Sequence, residues 1–351
     1  MDTLLASQYG ADVGNAKTPR VYYLRTMSIA IRIHQTGGPD VLRVESLDPG
    51  TPGPDQALVR HTAIGINYID TYHRSGLYAV PALPSGLGIE AAGVVEAVGS
   101  GVTEVAVGDR VAYAGGPLGA YAERRLAPAA RLVPLPKHVP DEAAAAVMLK
   151  GMTVEYLVRR TFPVRAGQVV LVHAAAGGVG LLACQWLKHI GATVIGTVGS
   201  DEKAELARAH GCDFPIIYTR EDFVSRVREL TNGKGVPVVY DSVGKSTFDG
   251  SLDCLSLRGM LVSFGNASGK PPLLNVNSLS EKGSLFVTRP TLQSYTSTRE
   301  ELLGSAGALF DLMDKGALRV EVRQRWGLTE AAEAHRALEA RKTTGSSILV
   351  P

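Results

Sequence analysis

A stretch rich in glycine and alanine separates two apolar runs of the sequence, HAAAGGVGLLACQW at residues 173–186. Within it, Ala175-x-Gly177-x-x-Gly180 has the spacing of a dinucleotide-binding turn, with alanine in the first glycine position. Gly177 is expected to let the backbone approach a diphosphate, and Gly180 to let a helix that begins near it pack closely on the preceding strand. The amides at the start of that helix would face the phosphates. The residues expected to contact the dinucleotide here are Ala176, Gly177, Gly178 and Val179.

The end of the next predicted strand indicates which dinucleotide is bound. Enzymes that use NAD usually carry Asp or Glu there, about 20 residues after the glycines, to hold the ribose hydroxyls. This strand ends IGTVGSDEK, so Gly199 and Ser200 stand where the acid would be. With Lys203 and Tyr218 close by, we predict a pocket for the 2′-phosphate of NADPH. The alternative is that Ser200 only caps a helix, and the two acidic residues that follow it count against a phosphate.

The elements that must position these residues fall into two halves. Residues 28–135 contain short strand-like runs separated by Gly, Pro and Asp clusters, which predicts a mostly antiparallel, barrel-like β domain. From residue 167, wholly apolar runs alternate with helix-like segments. Such runs are typical of strands buried on both faces of a parallel sheet, so six of them predict a doubly wound α/β sheet. After Thr291 we expect two helices and a final strand, SSILVP, which can rejoin the first domain.

Composition restricts the classes of protein to consider. A chain of 351 residues is comfortable for two domains, and a net charge of +2 is too mild to indicate nucleic acid or a membrane surface as partner. No apolar stretch is long enough to span a bilayer. The three cysteines are far apart, which favours a reducing, cytoplasmic location. Residues 1–26 have no regular period, and we interpret them as an N-terminal extension, disordered or from an upstream start codon, before a folded protein that begins at Met27.

Two motifs carry a resemblance to a known family. The segment GQVVLVHAAAGGVGLLACQWLK, residues 167–188, resembles the signature of the quinone oxidoreductase and zeta-crystallin group. The segment GIEAAGVVEAVG, residues 88–99, is similar to the pattern G-x-E-x-x-G-x-V-x-x-V-G of the medium-chain dehydrogenase/reductase superfamily. The resemblance extends from about Met27 to Pro351 and includes GINYIDTYHRSGLY, YDSVG, SFGNASG and TRPTLQSY.

The resemblance implies an architecture and an activity. It implies a GroES-like catalytic domain over residues 27–151 and 291–351, a Rossmann domain that binds NADP over residues 152–290, and usually a homodimer. The activity it implies is the NADPH-dependent reduction of a quinone. Reduction of a conjugated enone or alkenal remains open as an alternative, as does an RNA-binding or structural role like that of zeta-crystallin. The local basic run RRTFPVR, residues 159–165, is the feature that would serve RNA.

The chain departs from the zinc-dependent members of the superfamily. Those enzymes have Gly-His-Glu where this chain has Gly88-Ile89-Glu90, and the cysteine ligand they carry is missing from GINYIDTY. No four-cysteine lobe is present, and the histidines do not fall at ligand spacing. We therefore expect no metal. Zinc would stabilise charge on a single oxygen, whereas a quinone or an enone spreads the incoming charge over its own conjugated system.

The resemblance also implies which residues surround the reaction. It places Asn67, Asp70, Tyr72 and Tyr78 at the mouth between the domains, near the nicotinamide. The tyrosines could stack on a flat substrate or donate to its oxygen, although each could equally be half-buried packing and Asp70 a local turn residue. For the cofactor the resemblance implies Tyr72, Thr153, Ser242, Phe264, Gly265, Asn266 and, for the phosphate, Arg341.

Overall fold

The computed structural model describes residues 27–351, and the predicted extension over residues 1–26 lies outside the described residues. The first half holds eight strands and two α-helices within the described range. The strands are β1 (Ser28–Ile33), β2 (Leu42–Leu47), β3 (Gln56–Ile66), β4 (Ser85–Gly86), β5 (Glu90–Val98), β6 (Arg110–Ala114), β7 (Arg124–Pro128) and β8 (Val133–Pro134). The helices are α1 (Tyr68–Ser75), which follows β3, and α2 (Asp141–Tyr156), which follows β8.

The second half alternates strands and helices, as its apolar runs predict. Its elements are β9 (Val169–Val172), α3 (Gly178–Ile190), β10 (Thr193–Val198), α4 (Asp201–Ala209), β11 (Phe214–Ile217), α5 (Phe223–Leu230), β12 (Val236–Asp241), α6 (Phe248–Asp253), β13 (Leu255–Ser263), α7 (Asn277–Glu281) and β14 (Phe286–Thr288). The C-terminal segment adds α8 (Leu292–Tyr295), α9 (Arg299–Asp314), β15 (Val322–Gly327), α10 (Ala331–Glu339) and β16 (Ser346–Val350).

The second half is a Rossmann sheet. Its six strands are all parallel in the order β11-β10-β9-β12-β13-β14. Counted from β9, that is the order 3-2-1-4-5-6, which reverses between β9 and β12 and leaves a crevice for a dinucleotide at the carboxyl ends of the strands. The prediction of a doubly wound parallel sheet is confirmed.

The first half forms antiparallel sheets that the end of the chain completes. One sheet has the order β2-β1-β4, and the other runs β15-β16-β3-β5-β6-β8, with β7 also pairing β3. Strand β16 pairs antiparallel with β3 and parallel with β15. Helix α2 is apolar on nearly all sides, from Ala144 to Met152, and is buried between the sheets of the two halves. No helix among the described residues is both long and apolar enough to cross a membrane.

Candidate active site

The glycine turn has the shape that its sequence predicts. Helix α3 begins at Gly178 with Gly177 as N-cap, two residues before the predicted start at Gly180. A Cβ atom on Gly180 would lie 2.2 Å from the carbonyl oxygen of Ala174, so only glycine lets the helix approach the end of β9 this closely. The first amides of α3 have no partner within the helix, and the helix begins just past the carboxyl end of β9. The turn therefore fits the diphosphate of a dinucleotide.

The residues predicted for the 2′-phosphate lie together at the end of β10. Ser200 caps α4 and accepts a hydrogen bond from the amide of Lys203 at 3.3 Å. The Lys203 ammonium donates to the carbonyl oxygen of Arg341 at 2.9 Å, which brings the loop after α10 to this place. The Tyr218 hydroxyl lies over Gly199, where a Cβ atom would be only 2.8 Å from it. Tyr218 is 43% exposed, so its ring is open to a ligand.

The acidic residues beside this pocket are already engaged. Both carboxylate oxygens of Asp201 accept hydrogen bonds from Arg220, at 2.6 and 2.9 Å, on the outer side of α4. This partner holds the pKa of Asp201 below its usual range. Glu202 accepts from the Ser200 hydroxyl at 3.3 Å. Asp201 is thus paired with Arg220, whereas the Glu202 carboxylate lies at the Ser200 hydroxyl and would have to turn away for a phosphate to bind there.

A cluster of tyrosines crosses the cleft between the two halves. The ring centroids of Tyr72 and Tyr78 are 5.1 Å apart, and Tyr68 packs on Tyr72 at 5.6 Å. On the other side of the cleft, the Asn266 backbone amide donates to the Tyr72 hydroxyl at 2.9 Å, and the Asn266 side-chain amide donates to the Tyr78 hydroxyl at 3.0 Å. The structure thus brings Tyr72, Tyr78 and Asn266 together, as expected.

Arg289 joins this cluster and was not predicted. Its guanidinium donates to the Tyr78 hydroxyl at 3.1 Å, to the Ser263 hydroxyl at 3.1 Å and to the Gly265 carbonyl at 2.9 Å. Arg289 follows directly after β14, within the quoted segment TRPTLQSY. The sequence did contain a signal for Arg289, because a cationic residue directly after a Rossmann strand lies at the edge of the sheet where the cofactor crevice is expected.

Asp70 lies behind the cleft. It is fully buried, and its Oδ2 atom accepts from the Asn67 amide at 2.8 Å and from the Tyr121 hydroxyl at 2.9 Å. Tyr121 in turn contacts His335 at 3.0 Å, and Arg74 donates to the other nitrogen of that imidazole at 3.1 Å. Burial raises the pKa of Asp70 to about 7. These contacts anchor α1 to the first half and to α10.

A second buried set links the glycine turn to Asn67. The Glu90 carboxylate accepts from the Asn67 side-chain amide at 2.7 Å, from the Leu149 amide at 2.6 Å and from the Lys150 ammonium at 3.3 Å. The Lys150 side chain also reaches the glycine turn, because its Cδ and Cε atoms lie 2.9 Å from the position of a Cβ atom on Gly178. Lys150 was missed by sequence reasoning, although a lysine within the apolar stretch of α2 from Ala144 to Met152 is a visible signal.

The remaining predicted residues lie around the crevice with their own contacts. The Thr153 hydroxyl donates to the Leu149 carbonyl within α2 at 2.7 Å. Ser242 follows β12, and its carbonyl would be 2.2 Å from a Cβ atom on Gly265, so the loops after β12 and β13 interlock. Phe264 is half-buried and its amide donates to the Asp241 carbonyl at 2.8 Å.

Two further expectations concern metal ions and RNA. Within residues 27–351, no three His, Cys, Asp or Glu side chains are grouped so that they could hold a metal ion, and Ile89 is buried. In the basic run over residues 159–165, Arg159 and Arg160 both pair with the Glu155 carboxylate, at 3.5 and 3.0 Å. Those two guanidinium groups are therefore engaged within the protein.

Comparisons with known proteins agree with this arrangement. Residues 53–137 match the model of the alcohol dehydrogenase GroES-like domain, and residues 178–303 match that of the zinc-binding dehydrogenase family. A quinone oxidoreductase of Pseudomonas aeruginosa is 57% identical over 325 residues, which cover 93% of this chain and 100% of that protein. A 2-haloacrylate reductase of Burkholderia sp is 49% identical over 331 residues, covering 93% and 99%.

Solved structures show the same likeness. The Escherichia coli quinone oxidoreductase complexed with NADPH superposes with a TM-score of 0.91 at 50% identity, covering 92% of this chain and 100% of that one. A quinone oxidoreductase of Pseudomonas syringae has a TM-score of 0.91 at 54% identity, covering 93% and 100%. The chain therefore belongs to the quinone oxidoreductase family of the medium-chain dehydrogenase/reductase superfamily.

Proposed function

We propose that this protein is an NADPH-dependent quinone reductase that acts on a flat, conjugated acceptor in the cleft between α1 and the loop after β13, without a metal. One observation carries the proposal: the hydroxyls of Tyr72 and Tyr78 lie at the carboxyl end of the Rossmann sheet, where donors from the other half fix their orientation. The names of the relatives and the NADPH complex of the Escherichia coli enzyme support the same activity.

The residues for the cofactor are those of the glycine turn and the pocket at the end of β10. The Gly177 amide donates to the Ala174 carbonyl at 2.9 Å, so the amide of Val179 at the start of α3 would hold the diphosphate. Ser200, Lys203 and Tyr218 would hold the 2′-phosphate, with Arg341 brought beside them by its loop. When bound, NADPH supplies a hydride. The Lys150 side chain contacts this turn, and its ammonium donates to Glu90, which also binds Asn67. Lys150 therefore connects the cofactor side of the cleft to the Asn67 side.

The tyrosines are set up to donate to a carbonyl oxygen. A phenol has one O–H donor and two acceptor lone pairs. At Tyr78 both lone pairs are used, because Asn266 and Arg289 donate to it at 3.0 and 3.1 Å. Its proton is therefore free to be donated into the cleft. Burial raises the pKa of Tyr72 well above its usual range, so this hydroxyl also stays protonated at neutral pH.

These donors suit an acceptor that delocalises its charge. Positioned hydrogen-bond donors stabilise charge that develops on an oxygen in the transition state, and the guanidinium of Arg289 adds positive charge next to the Tyr78 hydroxyl. The aromatic faces of the cluster offer a flat ring a stacking surface. A quinone meets both conditions, because its ring spreads the incoming electrons and its carbonyls accept the hydrogen bonds.

Reduction of a conjugated enone or alkenal is the second candidate. It is favoured by the Burkholderia relative, a 2-haloacrylate reductase that is 49% identical over almost its whole length. The two activities use the same cofactor and the same hydroxyl donors, so they differ in the shape and charge of the acceptor.

A substrate panel tests the proposal. NADPH oxidation by the purified protein is followed with benzoquinones, naphthoquinones, alkenals and 2-haloacrylate at matched concentrations. The proposal expects quinones to have the highest kcat/KM. Efficient turnover of alkenals or 2-haloacrylate with none of quinones would overturn it in favour of the second candidate.

We further propose that the protein is a cytoplasmic homodimer. Strand β14 is an edge of the Rossmann sheet, and exposed apolar side chains gather on it and next to it, including Phe286 at 54% and Leu257 at 77% exposure. Unpaired edges and apolar patches favour pairing with another chain, and a two-fold axis at this edge would let each copy cover the other. The thiols of Cys184, Cys212 and Cys254 are free and buried, which supports a reducing compartment.

The domain division is also a proposal. We assign residues 27–151 and 291–351 to the catalytic domain and residues 152–290 to the cofactor domain. Support comes from the pairing of β16 with β3 and from Arg299 at the start of α9, which donates to the carbonyls of Ala130 and Leu132 at 3.0 and 3.1 Å.

A further inference from the structure

A chain of buried polar side chains runs beneath the glycine turn. The Ala174 amide lies 3.3 Å from the Thr197 hydroxyl, which is 2.9 Å from Nδ1 of His173. Nε2 of His173 is 3.0 Å from the Ser251 hydroxyl, and that hydroxyl donates to Oδ2 of Asp241 at 2.9 Å. The four side chains are at most 2% exposed. None of them faces the tyrosine cluster, so the proposed chemistry leaves their arrangement unexplained.

The contacts determine the direction of every hydrogen bond in the chain. A carboxylate only accepts, so Ser251 donates its proton to Asp241 and must accept from His173. His173 therefore carries a hydrogen on Nε2, and its Nδ1 accepts from the Thr197 hydroxyl. The Thr197 oxygen in turn accepts from the Ala174 amide. One neutral tautomer of His173 satisfies all five members, and a second proton, on Nδ1, would reverse the hydrogen bond with Thr197 and leave the Thr197 proton without this acceptor.

The two ends of this hydrogen-bonded chain of side chains lie in the two loops that border the cofactor crevice. Ala174 begins the glycine turn after β9 and has a left-handed φ of 55°, which costs a residue with a Cβ atom energy unless its surroundings hold it. Asp241 ends β12, the neighbouring parallel strand, and its Oδ1 accepts from the amides of Val243 and Gly244 at 2.8 and 3.0 Å. The chain thus ties the glycine turn to the loop that carries Ser242.

We propose that His173 is a positioning residue for the cofactor: as a neutral imidazole protonated on Nε2, it locks the glycine turn to the loop after β12 and so preorganises the diphosphate site. The inference rests on the proposed function only in taking NADPH as the ligand. Preorganisation of this kind strengthens binding because the turn then loses less conformational freedom when the ligand arrives.

The surroundings keep His173 neutral. Burial lowers its pKa, and the charged group that acts against this is Asp241, which lies beyond Ser251. The ring of Phe223 covers the imidazole edge to face, with centroids 5.1 Å apart. His173 should therefore hold one tautomer across the physiological pH range.

The first experiment reads the tautomer directly. Nitrogen NMR of the wild-type protein labelled on histidine, with and without NADPH, shows which ring nitrogen of His173 carries hydrogen. We expect hydrogen on Nε2 alone and no titration between about pH 5 and 8. Hydrogen on Nδ1, or a charged imidazole within that range, would overturn the proposal. This measurement needs no variant and no turnover, so it holds even if quinones prove not to be the substrate.

The second experiment removes the Thr197 hydroxyl, and with it the hydrogen bonds to His173 and Ala174, while keeping the shape of the side chain. Thr197→Val should raise the Kd for NADPH about tenfold, the equivalent of one or two lost hydrogen bonds, with kcat within about twofold of the wild type. Thr197→Ser, which keeps the hydroxyl, should restore the Kd. An unchanged Kd in Thr197→Val, or no rescue by serine, would overturn the proposal.

A matched control separates positioning from stability. The Thr231 hydroxyl also accepts from an amide, that of Gly235 at 2.9 Å, and donates to a carbonyl, that of Val227 at 2.7 Å, but it lies before β12, at the amino ends of the parallel strands. Thr231→Val should lower the Tm by a similar amount and leave the NADPH Kd unchanged. A rise in Kd equal to that of Thr197→Val would show that the effect is general destabilisation and would refute the positioning role. Failure of the wild type to bind NADPH would instead refute the proposed function.

Discussion

Replacing Lys203 by methionine should separate the two reduced nicotinamide cofactors. The substitution keeps an unbranched side chain of similar length and a strong helix former on α4, while it removes the ammonium. That ammonium donates to the Arg341 carbonyl at 2.9 Å, and the Lys203 backbone amide donates to the Ser200 hydroxyl at 3.3 Å. Asp201 does not compete for it, because both oxygens of that carboxylate are bound to Arg220. A 2′-phosphate would therefore meet a cation whose other N–H groups are directed to no acidic partner in the pocket.

The magnitude follows from the loss of one charge-assisted hydrogen bond. Such bonds contribute about 1.5–3 kcal/mol, which corresponds to roughly a ten- to hundredfold change in Kd. Because Lys203 is partly exposed, salt screens the interaction and the lower end is expected, about tenfold at physiological ionic strength. NADH lacks the phosphate, so its Kd should change by less than about twofold. The hydrogen bond to Arg341 is lost in either case and affects both cofactors alike.

Quenching of cofactor fluorescence gives the Kd of NADPH and NADH for the wild type and the variant. Lys188→Met is the matched control, since Lys188 pairs with Asp213 at 2.5 Å near the end of α3, away from the pocket. Its NADPH Kd should equal that of the wild type. Equal losses for both cofactors in Lys203→Met, or a wild type that prefers NADH, would refute the assignment of a 2′-phosphate pocket.

Four more outcomes are expected. Tyr78→Phe should lower kcat/KM for quinones by about tenfold or more without changing the NADPH Kd, because one positioned donor is lost; unchanged turnover would contradict its role. Treatment with a strong chelator should leave turnover unaffected and metal analysis should find no stoichiometric zinc, since Ile89 stands in a ligand position; activity lost on chelation and restored by zinc would contradict this. Phe286→Glu should convert a dimer to monomers in sedimentation experiments, and a wild type that is already monomeric would exclude the β14 interface. Burial raises the pKa of Asp70 from 3.8 to about 7, so the native state keeps a proton that the unfolded chain releases. The free energy of unfolding should therefore fall as pH rises between about 4 and 7. Urea unfolding at a series of pH values should show that this free energy depends less on pH in Asp70→Asn than in the wild type.

The sequence predicts the elements whose side-chain pattern is set by burial. Strand β3 alternates buried with partly exposed side chains along most of its length, and helix α2 is buried over most of its residues. The parallel strands are recognisable because both of their faces are covered, which makes them apolar throughout. Strand β15 cannot be recognised in this way, because its exposed arginines alternate with partly exposed residues and neither face is buried. It is held in place by its pairing with β16.

Helix α1 shows the limit for the site. Asp70 and Tyr72 are two positions apart in GINYIDTYHRSGLY, and the resemblance treats them as one group. Two positions turn a helix through about 200°, so the two side chains point to nearly opposite sides. Tyr72 reaches Asn266 across the cleft, whereas Asp70 faces Tyr121 in the first half. Spacing distinguishes such roles only once the segment is known to be helical.

The residues that sequence reasoning missed are joined by long-range contacts. Arg289 and Tyr78 are 211 positions apart, and Lys150 and Glu90 are 60 apart. The Arg289–Tyr78 pair forms because the two halves meet, and the Lys150–Glu90 pair forms because α2 packs on β5 within the first half. No local pattern in the sequence records either contact. The glycine turn is different, since its phosphate-binding geometry is complete within a few consecutive residues and can be read from spacing alone.

The replacement of a metal ligand by Ile89 explains why the cleft needs its donors. Glu90, the next residue, is bound by Asn67, Leu149 and Lys150, so the carboxylate serves to organise hydrogen bonds. In the proposed reaction, charge on the acceptor is stabilised by the hydroxyls of Tyr72 and Tyr78, assisted by Arg289. Such donors provide less stabilisation to a single oxygen than a zinc ion does as a Lewis acid. They are sufficient when the acceptor itself spreads the charge, so the same residues that permit catalysis without a metal also restrict the substrates to conjugated acceptors.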